Sequence, residues 1–178
     1  MDREQAIMDA EKRRTKAILK FLIPVTAVVV ILTVIVGFIA NKAGNKNAIA
    51  TNEFIEIAYH QKLEVSDVKD ELNKDKEMFK SALIALIDED DSVYFFKFKE
   101  KQDAKAYFAS GARSFKEEVK EAGVDNSQQK EYENYCYYTA TANGKYMHII
   151  RVKNTVFYAN VNEDQTKNVK KLIKSIGY

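Results

Sequence analysis

The 178 residues include one cysteine, one proline, two histidines and no tryptophan. A lone Cys136 excludes an intrachain disulfide, so the fold must hold by packing. His60 and His148 stand far apart, which leaves no metal motif of ordinary ligand spacing. Net charge is also scarce. The chain carries 28 basic and 26 acidic residues, and beyond residue 20 the balance is 22 to 22. A nucleic-acid-binding domain would show a basic excess, and none is present. Phosphate-binding glycine loops, CxxC pairs and HExxH segments are missing too. The sequence therefore implies no cofactor and no enzyme chemistry.

What it does have is one long apolar run, FLIPVTAVVVILTVIVGFIA, residues 21–40. Twenty residues at a helical rise of about 1.5 Å span about 30 Å, the depth of a bilayer's hydrocarbon core. The run has no polar stripe, unlike a helix on the surface of a soluble domain. Lys12, Arg13, Arg14, Lys16 and Lys20 precede it, and only Lys42 and Lys46 follow before Glu53. That asymmetry predicts an inside N-terminus. Residues 1–17 then form a short basic cytoplasmic arm, 18–40 a transmembrane helix, 41–50 a linker, and 51–178 an extracytoplasmic domain. The lipid bilayer is the first partner. Cleavage after Ala50, at Ala48-Ile49-Ala50, is the alternative, although a signal peptide's apolar region normally spans about 7–15 residues.

The outer part reads as α+β. A helix is expected from Glu53, capped by Thr51 or Asn52, with Phe54, Ile57, Ala58 and Tyr59 on one face. LEVSDV (63–68) alternates. SALIALI (81–87) and SVYFFKFK (92–99) make a hairpin around Asp88–Asp91, read as a solvated turn. Ala104, Phe108, Ala112, Phe115, Val119 and Ala122 form one helical stripe. Ser110-Gly111 within it points to close packing on a sheet. GVDNSQQ reads as a loop. KEYENYCYYTATA, KYMHIIRV and TVFYANV are strands. Asn143-Gly144 marks a type I′ hairpin turn between the first two. Asn162 with Gln165 resembles a capping box before a last helix lined by Val169, Leu172, Ile173 and Ile176. Tight turns between strands argue for an antiparallel sheet of about five to six strands, with helices on one face.

RVKNTVFYANVNEDQTKNVKKLIKSIGY (151–178) resembles small membrane-anchored or lipoprotein-type extracytoplasmic domains of Gram-positive bacteria, a group of unknown function. The resemblance implies a surface location and an α+β fold. It supplies no catalytic residues.

Tyr132, Tyr135, Tyr137, Tyr138, Tyr146 and Tyr158 fall on strands expected to be neighbours. Tyr135, Tyr137, Tyr146, His148 and Tyr158 form the candidate binding surface, although tyrosines also suit strands for purely structural reasons. Cys136 reads as a buried thiol. Three functions are weighed. The first is a non-enzymatic interaction module that meets an envelope protein or wall component. The alternative is a small-ligand-binding or sensing domain that uses the aromatic sheet face, and the third is an enzyme of unknown type.

Overall fold

The computed structural model describes residues 45–73, 77–123 and 126–178. The basic arm, the apolar run and the start of the linker lie outside the described residues. Among the described residues, no helix is long and apolar enough to cross a membrane.

The described chain begins with helix α1 (Thr51–His60), strand β1 (Glu64–Asp67) and a one-turn helix α2 (Lys69–Leu72). β2 (Phe79–Leu86) and β3 (Ser92–Phe98) follow, then the long helix α3 (Lys101–Glu121). β4 (Ser127–Glu131), β5 (Tyr135–Ala142), β6 (Lys145–Val152) and β7 (Thr155–Asn162) come next. A 3-10 turn (Glu163–Gln165) leads into α4 (Thr166–Ser175). The strands form one seven-stranded antiparallel sheet in the order β1-β2-β3-β7-β6-β5-β4. α3 carries the chain from central β3 to the far edge. The β4–β7 meander then returns until β7 pairs with β3, with Phe95 opposite Phe157.

The seventh strand is β4, which begins in the stretch expected to be a loop and takes the first two residues of the strand expected from Lys130, whose remainder starts again as β5 at Tyr135. Its SQQKE side chains are all exposed, so no apolar alternation betrays it. Its identity comes from backbone pairing, Ser127 opposite Ala140 through Glu131 opposite Cys136. Polar side chains also suit an edge strand, which must resist further pairing.

The sheet is covered on both faces, which corrects the expectation of helices on one. α1 and α4 pack on one face against Leu83, Phe95, Phe157 and Val161. α3 packs on the other against Phe96, Phe98, Ile149 and Val156. The strands show why. Val93 and Phe95 point to the first face, Phe96 and Phe98 to the second, and all of β6 except Lys145 is buried. Continuous apolar runs of this kind belong to strands buried on both sides.

Local signals were met unevenly. Asn143 and Gly144 both take positive φ, 52° and 72°, as a type I′ turn needs. α1 starts at Thr51 rather than Glu53, and its cap is Ala50 in place of Thr51 or Asn52; the Ala50 N–H donates to the Glu53 carboxylate at 3.3 Å. The capping box at Asn162 does not form. A 3-10 turn intervenes, and the Asn162 carboxamide oxygen accepts from Lys145 Nζ at 2.8 Å instead. The acid turn is not wholly solvated either. Asp91 is 3 % exposed, and both its oxygens accept from the Asn162 N–H, at 3.0 and 3.1 Å. Asp88 Oδ1 accepts from the N–H groups of Asp90 and Asp91. One carboxylate shapes the turn while the other ties it to the end of β7.

Candidate functional site

The two helices on the first face are short, and α4 flanks the β5–β6 end of the sheet. A groove of about 580 Å³ lies there. Tyr135, Tyr137 and Thr139 of β5 and Tyr146, His148 and Ile150 of β6 make its floor. Period-two alternation puts each set of three on one face. Lys170, Ile173 and Lys174 of α4, with Gly177 and Tyr178, make one wall, and Lys46 stands at the end.

The rings form a chain. Tyr132 stacks on Tyr135 at 5.0 Å between ring centres, and Tyr135 lies 5.9 Å from Tyr137. Tyr137 is nearly parallel to His148, at 5.9 Å and 11°, and His148 lies 6.0 Å from Tyr146. Two cations cap the chain. Lys46 Nζ sits 5.0 Å from the Tyr135 ring centre, and Lys170 Nζ sits 5.4 Å from that of Tyr146, both in cation–π range. Partial burial pulls the Lys46 pKa down. Its ammonium donates to the Gly177 carbonyl at 3.4 Å. No Asp or Glu is among the residues lining the groove.

His148 is 9 % exposed, and burial, with the nearby Lys170 charge, pushes its pKa down to about 4. The imidazole is therefore neutral at pH 7. Its Nδ1 lies 3.0 Å from the Tyr146 hydroxyl, while its Nε2 has no partner. The Thr139 hydroxyl bonds to Tyr146 and opposes the rise that burial gives the Tyr146 pKa. With Thr139 donating to Tyr146 and Tyr146 donating to Nδ1, the remaining proton is assigned to Nε2. The groove floor thus holds a buried N–H donor without an acceptor. Buried polar groups are nearly always paired, so an orphan of this kind calls for an explanation.

Four of the five candidate surface residues, Tyr135, Tyr137, Tyr146 and His148, share this groove. Tyr158 does not. It faces α3 across the sheet, 5.1 Å from Phe115 and 6.2 Å from Tyr94 between ring centres. Tyr138 also points that way, against Phe115. Tyr138 stands an odd number of positions from Tyr135 and Tyr137, and Tyr138 and Tyr158 both pair with Ile149, so these two rings lie on the opposite side. Sequence reasoning missed Lys46, Lys170, Lys174 and Tyr178. The i,i+4 pair Lys170 and Lys174 was a readable signal of a basic helix edge. Nothing local links Lys46 to β5. The Tyr178 hydroxyl is held in the core by Thr155 and by the Ile49 N–H. Tyr178 is therefore a packing residue that also lines the groove.

No family model matches the chain, and no curated protein does. Among solved structures it is similar to the crystal structure of a GTP binding regulator from Thermotoga maritima. The identity is 14 %, the TM-score is 0.41, and the match covers 75 % of this chain and 90 % of that one. That degree of likeness bears on neither fold nor function.

Proposed function

We propose that this chain is a single-pass, membrane-tethered, non-enzymatic binding module. Its outer domain holds a small anionic ligand with a flat or sugar ring in the groove between α4 and β5–β6. The observation that carries this reading is the combination on that floor: a run of rings, an acid-free lysine rim, and the unpaired Nε2–H of His148. Rings take the ligand's ring, lysines its charge, and the buried N–H an acceptor. An acidic or phosphorylated sugar of a wall component has this chemistry. The apolar run 21–40 and the basic residues before it support an outside location at the cell membrane. The resemblance of residues 151–178 to Gram-positive envelope domains supports the same place.

The test uses the full-length chain in detergent micelles. Thermal unfolding is followed with hexuronic acids, sugar phosphates and aromatic carboxylates, each against its neutral counterpart at equal ionic strength. Binding to the folded state alone stabilises it by about 2.7 kcal/mol at a hundredfold excess over Kd. A rise in Tm is expected with an anionic ring compound and not with its neutral analogue. Tyr137→Ala, and separately Lys170→Ala with Lys174→Ala, should abolish it. The reading fails if no compound moves Tm, or if the variants respond as the wild type does.

A further inference from the structure

The opposite face of the sheet holds a second cavity, of about 510 Å³, between α3 and the β4–β6 end. Lys105, Arg113 and Lys116 of α3 and Arg151 of β6 contribute four cations to its lining, against one acid, Glu131. Arg151 is 5 % exposed. A guanidinium cannot shed its proton in a protein, so burial cannot neutralise it as it neutralises His148. A buried charge is costly unless an opposite charge compensates it. Yet the Arg151 Nη1 donates only to a carbonyl, that of Lys153, at 3.2 Å. Its other contact is the Cys136 thiol, whose pKa is raised by burial with Arg151 pulling the other way. Neither partner is an anion. Among the described residues, Arg151 forms no ion pair with a carboxylate. Glu131 lies two strands away along the row Glu131, Cys136, Arg151, and its side chain is exposed.

We infer that this cavity is a second, independent site for an oxyanion, a phosphate or carboxylate group on a small molecule, with Arg151 at its base and Arg113 and Lys116 at its mouth. Arginine's planar fork matches an oxyanion in two parallel hydrogen bonds. The Lys116 ammonium, 5.7 Å from the Tyr138 ring centre, is already held over the β5 side of the cavity. Glu131 is the competing charge at the rim. The site lies across the sheet from the aromatic groove, so one can fail without the other.

The probe is pyrophosphate, titrated calorimetrically into the full-length chain in micelles, with sodium chloride matching the ionic strength. Saturable binding is expected in the wild type, and equally in Lys170→Ala with Lys174→Ala, which disables the groove alone. Arg113→Ala with Lys116→Ala alters exposed side chains only. It should weaken binding by about tenfold or more while leaving the ligand-free Tm unchanged. Glu131→Gln should tighten binding a few-fold. Arg151→Met should abolish binding without lowering the ligand-free Tm, because it removes an uncompensated charge. The site is refuted if pyrophosphate fails to saturate by about 10 mM, or if the Arg113 and Lys116 double variant binds as the wild type does. Loss of binding in the Lys170 and Lys174 variant would place the anion in the groove and equally refute it.

Discussion

The two faces of the sheet are covered by unequal amounts of helix. α3 has 21 residues and α1 and α4 have 10 each, which is about 31 Å of rod against two of about 15 Å. Under α3, the stripe Ala104, Phe108, Ala112, Phe115 and Val119 is buried, and small residues let the helix press close. On the other face the helices end early, and rings rather than backbone finish the job. Tyr135, Tyr137, Tyr146 and His148 cover the sheet while keeping polar tips. Under α3, Tyr138 is core and Tyr158 is half-buried against Phe115. On the other face Tyr135 and Tyr146 are buried as well, yet with the half-buried Tyr137 they form the floor of a groove. The two faces differ less in how deeply their tyrosines are buried than in what lies above them, one long helix or a groove beside a short one.

The largest expected effect tests the filled face. Phe115 is 1 % exposed and stacked near Tyr138 and Tyr158. Phe115→Ala should cost about 3–5 kcal/mol in urea unfolding. Tyr137→Ala, on the half-open groove floor, should cost under about 1 kcal/mol, as substitutions away from tight packing do. Equal losses would mean that the two faces do not differ in packing.

Next in size is the pH dependence of the groove face. The folded His148 pKa of about 4 lies below its ordinary 6.5, so the unfolded chain takes up the proton first. This residue's contribution is therefore intact above pH 6.5 and is lost as pH falls toward 4. The gap of about 2.5 units corresponds to about 3 kcal/mol. Lys170 from α4 opposes protonation, and Tyr137 and Tyr146 flank the ring without charge. His148→Gln should remove this component from the acid limb of the stability curve. An unchanged limb would show that the imidazole is not confined as described.

The smallest effect probes how hard α3 presses. A Cβ on Gly111 would stand 2.6 Å from Ile149 Cδ1, at a side chain that is itself fully buried. Overpacking costs about 1–3 kcal/mol, while Ala in place of a helical Gly gains up to about 1 kcal/mol. Gly111→Ala should therefore be destabilising by about 1 kcal/mol. A stabilised variant would falsify the close approach of helix and sheet.

The residue patterns that were legible share a short physical range. The α3 stripe, the buried face of α4 and the Asn143-Gly144 turn depend on neighbours within a few positions, and each formed as read. β4 was not legible, because its strand identity rests on pairing and its side chains all face water. The two-sided cover is not part of the sequence reading, which expects the helices on one face. Consecutive apolar residues in VYFFKF and MHIIRV already argued against a single open face, but they carried no information on which helix would lie where.

By itself the sequence determined an apolar run long enough to span a bilayer, an α+β domain with tight hairpins, and a supply of tyrosines on adjacent strands. Those follow from hydropathy, periodicity and turn chemistry, which act locally along the chain. Only the tertiary structure decided that Tyr158 lies across the sheet from Tyr135, and that Lys46 and Lys170 meet the same row of rings. It likewise decided that Asp91 is buried against Asn162, and that Arg151 is buried without a carboxylate beside it. These follow from where helices of unequal length come to rest on the sheet, and that is set by contacts between residues up to about a hundred or more positions apart, such as Ile49 with Tyr178.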